Sequence, residues 1–201
     1  MVVVVPDEID FSGALDGLVS NRQPQIRYKH KNWWFALENP ETTINPFESE
    51  AVQVTDSEIL PDVVIRRNFN DKRGTWGVAA MIRTLHARDT SNRQSAIGFG
   101  LTTGGKLLVG KKGDDLRMMF TGGMGLGRYL SANFIAGATI DQERELNPIP
   151  SLNGYIVYNH FWMPKTLSSS FSVAAFQAFS DQSVSVLSVN NNAYSKSGNF
   201  K

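Results

Sequence analysis

The chain has 201 residues, 41% hydrophobic and 19% charged, with a formal net charge of +1 and no cysteine. That length suits one domain. The near-neutral charge argues against a nucleic-acid binder, which usually shows a strongly basic face, and the missing thiols exclude a disulfide framework and thiolate metal sites.

The N-terminal "MVVVVPDEIDFSG" lacks the basic n-region, full h-region and cleavage site of a signal peptide. No apolar run approaches the roughly 18 residues of a membrane helix. Instead, period-two segments rich in Val, Ile, Tyr, Phe, Trp and Thr predict about eight strands, and hence an all-β, antiparallel fold.

The first strand, 25–30, places Ile26, Tyr28 and His30 on one face and Gln25, Arg27 and Lys29 on the other. After a "KN" turn, 33–38 sets Trp33, Phe35 and Leu37 against Trp34, Ala36 and Glu38. A long polar connection spans 40–61. In 63–69, Val63, Ile65 and Phe69 oppose Val64, Arg66 and Asn68, with Arg67 interrupting the apolar side. After "NDKRG", 76–84 sets Trp76, Val78, Ala80 and Ile82 against Gly77, Ala79, Met81 and Arg83. A medium connection, 86–94, leads to 97–102, where Ile97, Phe99 and Leu101 oppose Gly98, Gly100 and Thr102.

"KKGDD" turns into 116–121, where Leu116, Met118 and Phe120 oppose Arg117, Met119 and Thr121. The connection 122–151 is long, with a short helix expected within 130–140. The strand at 154–162 is aromatic on both faces, and parity does not orient it. "MPKT" leads to 170–176, and the tail after Ser180, ending in "NNNAYSKSGNFK", reads as loop.

Short turns alternate with longer connections, the asymmetry of an outer-membrane barrel. Trp33, Phe69, Trp76 and Phe161 or Trp162 all stand beside short turns, where an aromatic girdle would lie. On a soluble sheet the same residues would be ordinary hairpin-end core.

No enzyme signature emerges. "GLTTGGKL" at 100–107 nearly spells a phosphate-binding loop, but Leu107 replaces the hydroxyl residue and a strand continues where a helix must begin. His30, His86 and His160 have no metal-ligand spacing. The paired carboxylates Asp114 and Asp115 read as solvated turn residues.

The informative feature is the set of single cations on polar parity: Arg27, Lys29, Arg66, Arg83 and Arg117. Parity alone leaves two readings open. They face bulk water on a soluble sheet, or they line a lumen and concentrate anions there.

Several runs bear on that choice: "DFSG" at 10–13, "RQPQIRY" at 22–28, "LENPET" at 37–42, "LPDV" at 60–63, "DDLRM" at 114–118, "GLGRYL" at 125–130, "ELNPIP" at 145–150 and "GYIVYNHFW" at 154–162. As an ordered set they resemble the DcaP-like outer-membrane porins. The resemblance implies a trimeric, sixteen-stranded barrel in the outer membrane of a Gram-negative bacterium, surrounded by lipid and lipopolysaccharide, that passes dicarboxylates and similar small anions without a cofactor. The chain matches the later half of such a barrel, so residues 1–201 are expected to be a partial barrel domain. By the same resemblance Arg27, Lys29, Arg66, Arg83 and Arg117 line the pore, with Arg128 near a loop root. The expected function is passive diffusion of small anions. The alternative is a soluble, lipocalin-type barrel binding a small ligand.

Overall fold

A computed structural model describes residues 23–45, 53–55, 60–88, 93–110, 113–130, 135–141, 143, 145–163, 167–179 and 185–195. About four-fifths of them are strand. Nine strands form one antiparallel sheet: β1 Gln25–His30, β2 Trp33–Glu38, β5 Asp62–Asp71, β6 Gly74–Arg88, β7 Arg93–Val109, β8 Asp114–Met124, β11 Pro150–Met163, β12 Leu167–Ala178 and β13 Ser185–Ser195, hydrogen-bonded in that order. Four short strands form a second sheet in the order β10–β9–β3–β4: β3 Thr42–Asn45, β4 Gln53–Thr55, β9 Ala138–Ile140 and β10 Leu146–Pro148.

The hairpin pattern follows from turn chemistry. Lys31, at φ 52°, and Asn32 join β1 to β2, and Lys72–Arg73 join β5 to β6. Because every neighbouring pair in the large sheet is antiparallel, the turns β1–β2, β5–β6, β7–β8 and β11–β12 lie at one end. At the other end lie the two long connections, β2 to β5 and β8 to β11, with the β12–β13 connection and that of β6 to β7, which the strands shorten from the expected 86–94 to the four residues 89–92.

Three expectations change. The predicted tail loop contains β13, paired with β12 from Leu167↔Ser195 to Gln177↔Ser185. This makes nine strands in the large sheet, not about eight. Asn-rich sequence has low strand propensity, but a partner edge supplying a full ladder of main-chain bonds overrides it. The helix expected in 130–140 is absent among the described residues. A single 3-10 turn, Gly127–Tyr129, precedes it, and Ala138–Ile140 pairs with β3 and β10 instead. The two long connections are therefore structured, each contributing two strands to the small sheet. Residues 131–134 and the run "DFSG" at 10–13 lie outside the described residues.

The registers extend the parity reading across the sheet. One face runs Ile26–Leu37–Val63–Ile82–Phe99 and, one row on, Tyr28–Phe35–Ile65–Ala80–Leu101–Gly122–Leu152. These side chains are exposed: Ile26 is 76% accessible, Ile97 63%, Leu101 57% and Phe99 52%. We call this the open face. β11, which parity could not orient, gives it Leu152, Ile156, Tyr158 and Trp162 and turns Tyr155, Val157 and Asn159 the other way.

The opposite, covered face carries the small sheet. Ile44, Ala138 and Leu146 pack on Leu85 and Ala87 of β6, with Ala96 and Ile140 at the margin. A second cluster joins Val64, Met81, Met119, Tyr155 and Phe176 to Leu126, Tyr129, Leu130 and Ile149 of the second connection. The sheet therefore packs its loops on the face that carries the charges and leaves its aliphatic face bare. A soluble antiparallel sheet does the reverse.

Candidate functional site

The charged residues of the covered face fall into three groups. The first surrounds Trp34 at the centre of the β1–β2–β5 ladder, where Lys29, Trp34 and Arg66 are successive register partners. The guanidinium carbon of Arg27 lies 4.9 Å from the indole centroid, Lys29 Nζ 5.3 Å and the Arg66 guanidinium carbon 5.0 Å. Arg66 Nε also donates to Asn68 Oδ1 at 2.7 Å. Trp34 and Arg66 are half-buried and Arg27 and Lys29 exposed. A cation over an aromatic face gains about 0.5–1 kcal/mol at exposed sites. The ring thus offsets part of the mutual repulsion that would otherwise spread three positive charges. Sequence reasoning found the cations but not Trp34, the residue that gathers them.

The second group centres on Asp115. Its Oδ1 accepts from Arg117 Nε at 2.9 Å and Asn159 Nδ2 at 2.8 Å. Oδ2 accepts from Lys106 Nζ at 2.9 Å and Arg117 Nη2 at 3.3 Å. Asp115 is buried, which corrects its reading as a solvated turn carboxylate. The cause is strand parity: β8 begins at Asp114, so Asp115 shares the covered face with Arg117. Asp114 takes the other face, where Tyr158 Oη donates to its Oδ2 at 2.9 Å and the Phe161 amide to its Oδ1 at 2.9 Å; His160 Nδ1 lies 3.0 Å from Oδ2.

The third group lies where the loops meet the sheet. Asp62, at the start of β5, is fully buried. Arg83 Nε lies 3.4 Å from its Oδ2, Arg128 Nη2 3.3 Å and Tyr129 Oη 2.8 Å. Tyr129 Oη is also 2.9 Å from Glu38 Oε2 and accepts from Gln23 Nε2 at 2.8 Å. Glu38 and Asp62 are direct register partners, and two carboxylates opposite each other repel. Arg83 and Arg128 neutralise them. Burial pushes the Tyr129 hydroxyl far above the ordinary phenol range, and the Asp62 and Glu38 charges push the same way. The hydroxyl therefore keeps its proton and donates it to one carboxylate at a time.

The six residues singled out in the sequence thus separate. Arg27, Lys29 and Arg66 form one accessible cationic array. Arg117 is buried and paired with Asp115, while Arg83 and Arg128 are buried around Asp62. Glu38, Asp62 and Tyr129 were not found from sequence, because Tyr129 reaches the two carboxylates from 67 and 91 residues away.

On the open face, Trp33, Phe69, Trp76 and Trp162 lie toward the short-turn end. The Arg67 guanidinium carbon sits 5.0 Å from both the Trp33 and the Phe69 ring centroids. The break in apolar parity at Arg67 is therefore a cation lying across the Trp33 and Phe69 rings. Among the described residues, no helix is long and apolar enough to cross a membrane and no group of His, Asp or Glu has the arrangement of a metal site. No family model, curated protein or solved structure matches the chain.

Proposed function

We propose that this chain forms part of the wall of a porin-type β-barrel in a bacterial outer membrane, and that small anions diffuse passively through it. The carrying observation is the inverted sheet. Its continuous aliphatic and aromatic face is bare, and its charged face is the one its own loops cover. Contiguous apolar patches beyond a few hundred Å² on a protein surface mark an interface with a partner or a lipid phase. An aromatic band at the turn end, alternating connection lengths and period-two strands are together the habit of a lipid-facing barrel.

The sequence resemblance to DcaP-like porins supports the finer reading: a sixteen-stranded barrel, a homotrimer, contact with lipopolysaccharide, and dicarboxylate-like solutes. Arg27, Lys29 and Arg66 would set selectivity. Three cations held round one ring at the accessible end of the charged face raise the local anion concentration by field focusing. No bond is made or broken, and no cofactor takes part.

The test is a reversal potential in planar bilayers under a salt gradient. The wild-type protein should favour the anion. The triple variant Arg27→Gln, Lys29→Gln, Arg66→Gln should lose that preference roughly tenfold while keeping its conductance within a small factor. Unchanged selectivity removes these residues from the pore wall. A protein that is monodisperse without detergent and silent in bilayers favours the soluble ligand-binding module.

A further inference from the structure

The two long connections belong to one body. β3, from the first, pairs in parallel with β9, from the second, at Ile44↔Ala138 and Asn45↔Thr139. The Gly137 amide donates to Thr43 O at 2.8 Å, the Ile149 amide to Gly137 O at 2.9 Å and the Gly125 amide to Ile149 O at 3.0 Å. Gly127 adopts φ +42°, and a Cβ there would lie 2.6 Å from Gly137 N and 2.7 Å from Thr43 Oγ1. Only glycine lets the connections approach so closely.

This body is held to the nine-stranded sheet through Asp62. Arg83, projecting from β6, donates to Glu41 O in the first connection and to Gly125 O and Leu126 O in the second, at 3.3 and 3.4 Å for the latter two. Arg128, from the second connection, donates to Asn39 O and lies 3.4 Å from Glu41 Oε2 in the first. Both guanidinium groups converge on one carboxylate oxygen, Asp62 Oδ2, and Tyr129 lies within 5.3 Å of both as well as donating to the Asp62–Glu38 pair. Beside this ion network, the His86 amide of β6 donates to Thr42 Oγ1 at 3.1 Å, and Ile44, Ala138 and Leu146 pack on Leu85 and Ala87, so Asp62 is the charged centre of a tie that apolar contacts share. The Asp62 and Arg83 side chains are inaccessible to water, and that of Arg128 is nearly so.

We propose that Asp62 is a positioning residue, the latch that holds the four-stranded loop sheet against the wall and so fixes the width of the passage. Its consequence for conduction rests on the pore reading above; the latch itself does not. Without the Asp62 charge, the buried Arg83 and Arg128 guanidinium groups lose the counter-charge they share, and the loop sheet is held less tightly while the cationic array at Trp34 stays intact. Width and charge preference are thus assigned to different residues.

The chain has no cysteine, so Ala138→Cys, at a fully buried position between the two sheets, reports opening of the loop sheet by its rate of modification with a charged thiol reagent. In that background Asp62→Asn should raise the rate roughly a hundredfold, since breaking a buried ion network opens the local structure. Tyr129→Phe, which removes one hydroxyl and keeps the ring, should raise it roughly tenfold and serves where Asp62→Asn does not fold. In bilayers Asp62→Asn should raise single-channel conductance and admit larger solutes, with the reversal potential unchanged. A faster modification with no current from any variant leaves the latch standing and overturns the pore. Modification rates unchanged in both variants overturn the latch, whatever the current.

Discussion

If the open face meets lipid, as proposed, Leu101→Arg should cost about 2–4 kcal/mol of folding stability in a bilayer, the cost of an arginine on the lipid face of a barrel near its midplane. Leu101 is the middle residue of β7, more than half exposed on the open face, with Ala80 and Gly122 as its register partners. At a water-facing surface position the same substitution would shift stability by no more than about 0.5 kcal/mol, because a solvated arginine loses nothing. The measurement is the denaturant midpoint of the protein refolded into lipid vesicles, with tryptophan fluorescence as the signal. A near-zero change would place the open face in water.

Asp115→Ala should cost about 3–5 kcal/mol, for a reason confined to the covered face. Removing the carboxylate takes away the counter-charge of the Arg117 guanidinium, whose side chain is only 7% exposed. Asn159 loses the acceptor of its amide. Lys106, at 38%, can turn toward water and contributes little to the cost. The double variant Asp115→Leu, Arg117→Met should recover much of the loss, since a buried ion pair exchanged for apolar side chains of similar volume is often close to neutral. Denaturant unfolding of both variants tests this. A cost under about 1 kcal/mol for Asp115→Ala would be that of a solvated pair and would mean that water reaches this part of the wall.

These expectations separate what the sequence carried from what it did not. Face assignment was legible because a strand has a period of two, and a single register shift would have turned every side chain over. Val63, Ile65, Ile82, Phe99 and Leu101 all sit on the face that alternation gave them. Even the exception at Arg67 was visible, although its explanation needed Trp33 and Phe69 in space. The short turns were legible from Lys31–Asn32 and from Asp71 to Gly74, which carry turn residues and, at Lys31 and Gly74, positive φ.

The loop sheet was not legible. Its strands are three or four residues long, too short to display a period, and β3 meets β9 across more than ninety residues. Nor could alternation distinguish an arginine in a watery space from one locked in an ion network. Arg66 and Arg83 occupy equivalent parity on adjacent strands, yet one lies beside Trp34 and the other is sealed against Asp62. The hint available was Glu38 opposite Asp62. Once the two strands are paired, facing carboxylates require a cation, and Arg83 is the next residue along that row. Asp115 was misplaced for a related reason, because a turn composition next to it masked the parity it shares with Arg117.

The medium that the open face meets decides between a membrane wall and a soluble sheet, and β7 can report it directly. Single cysteines at 97 through 103, spin-labelled in the protein reconstituted into lipid, give accessibility to oxygen, which partitions into the bilayer, against a water-soluble nickel chelate. The account predicts a strict period of two, with labels at Ile97, Phe99, Leu101 and Thr103 reached by oxygen and shielded from the chelate. Labels at those positions that the chelate reaches as readily as oxygen would contradict it.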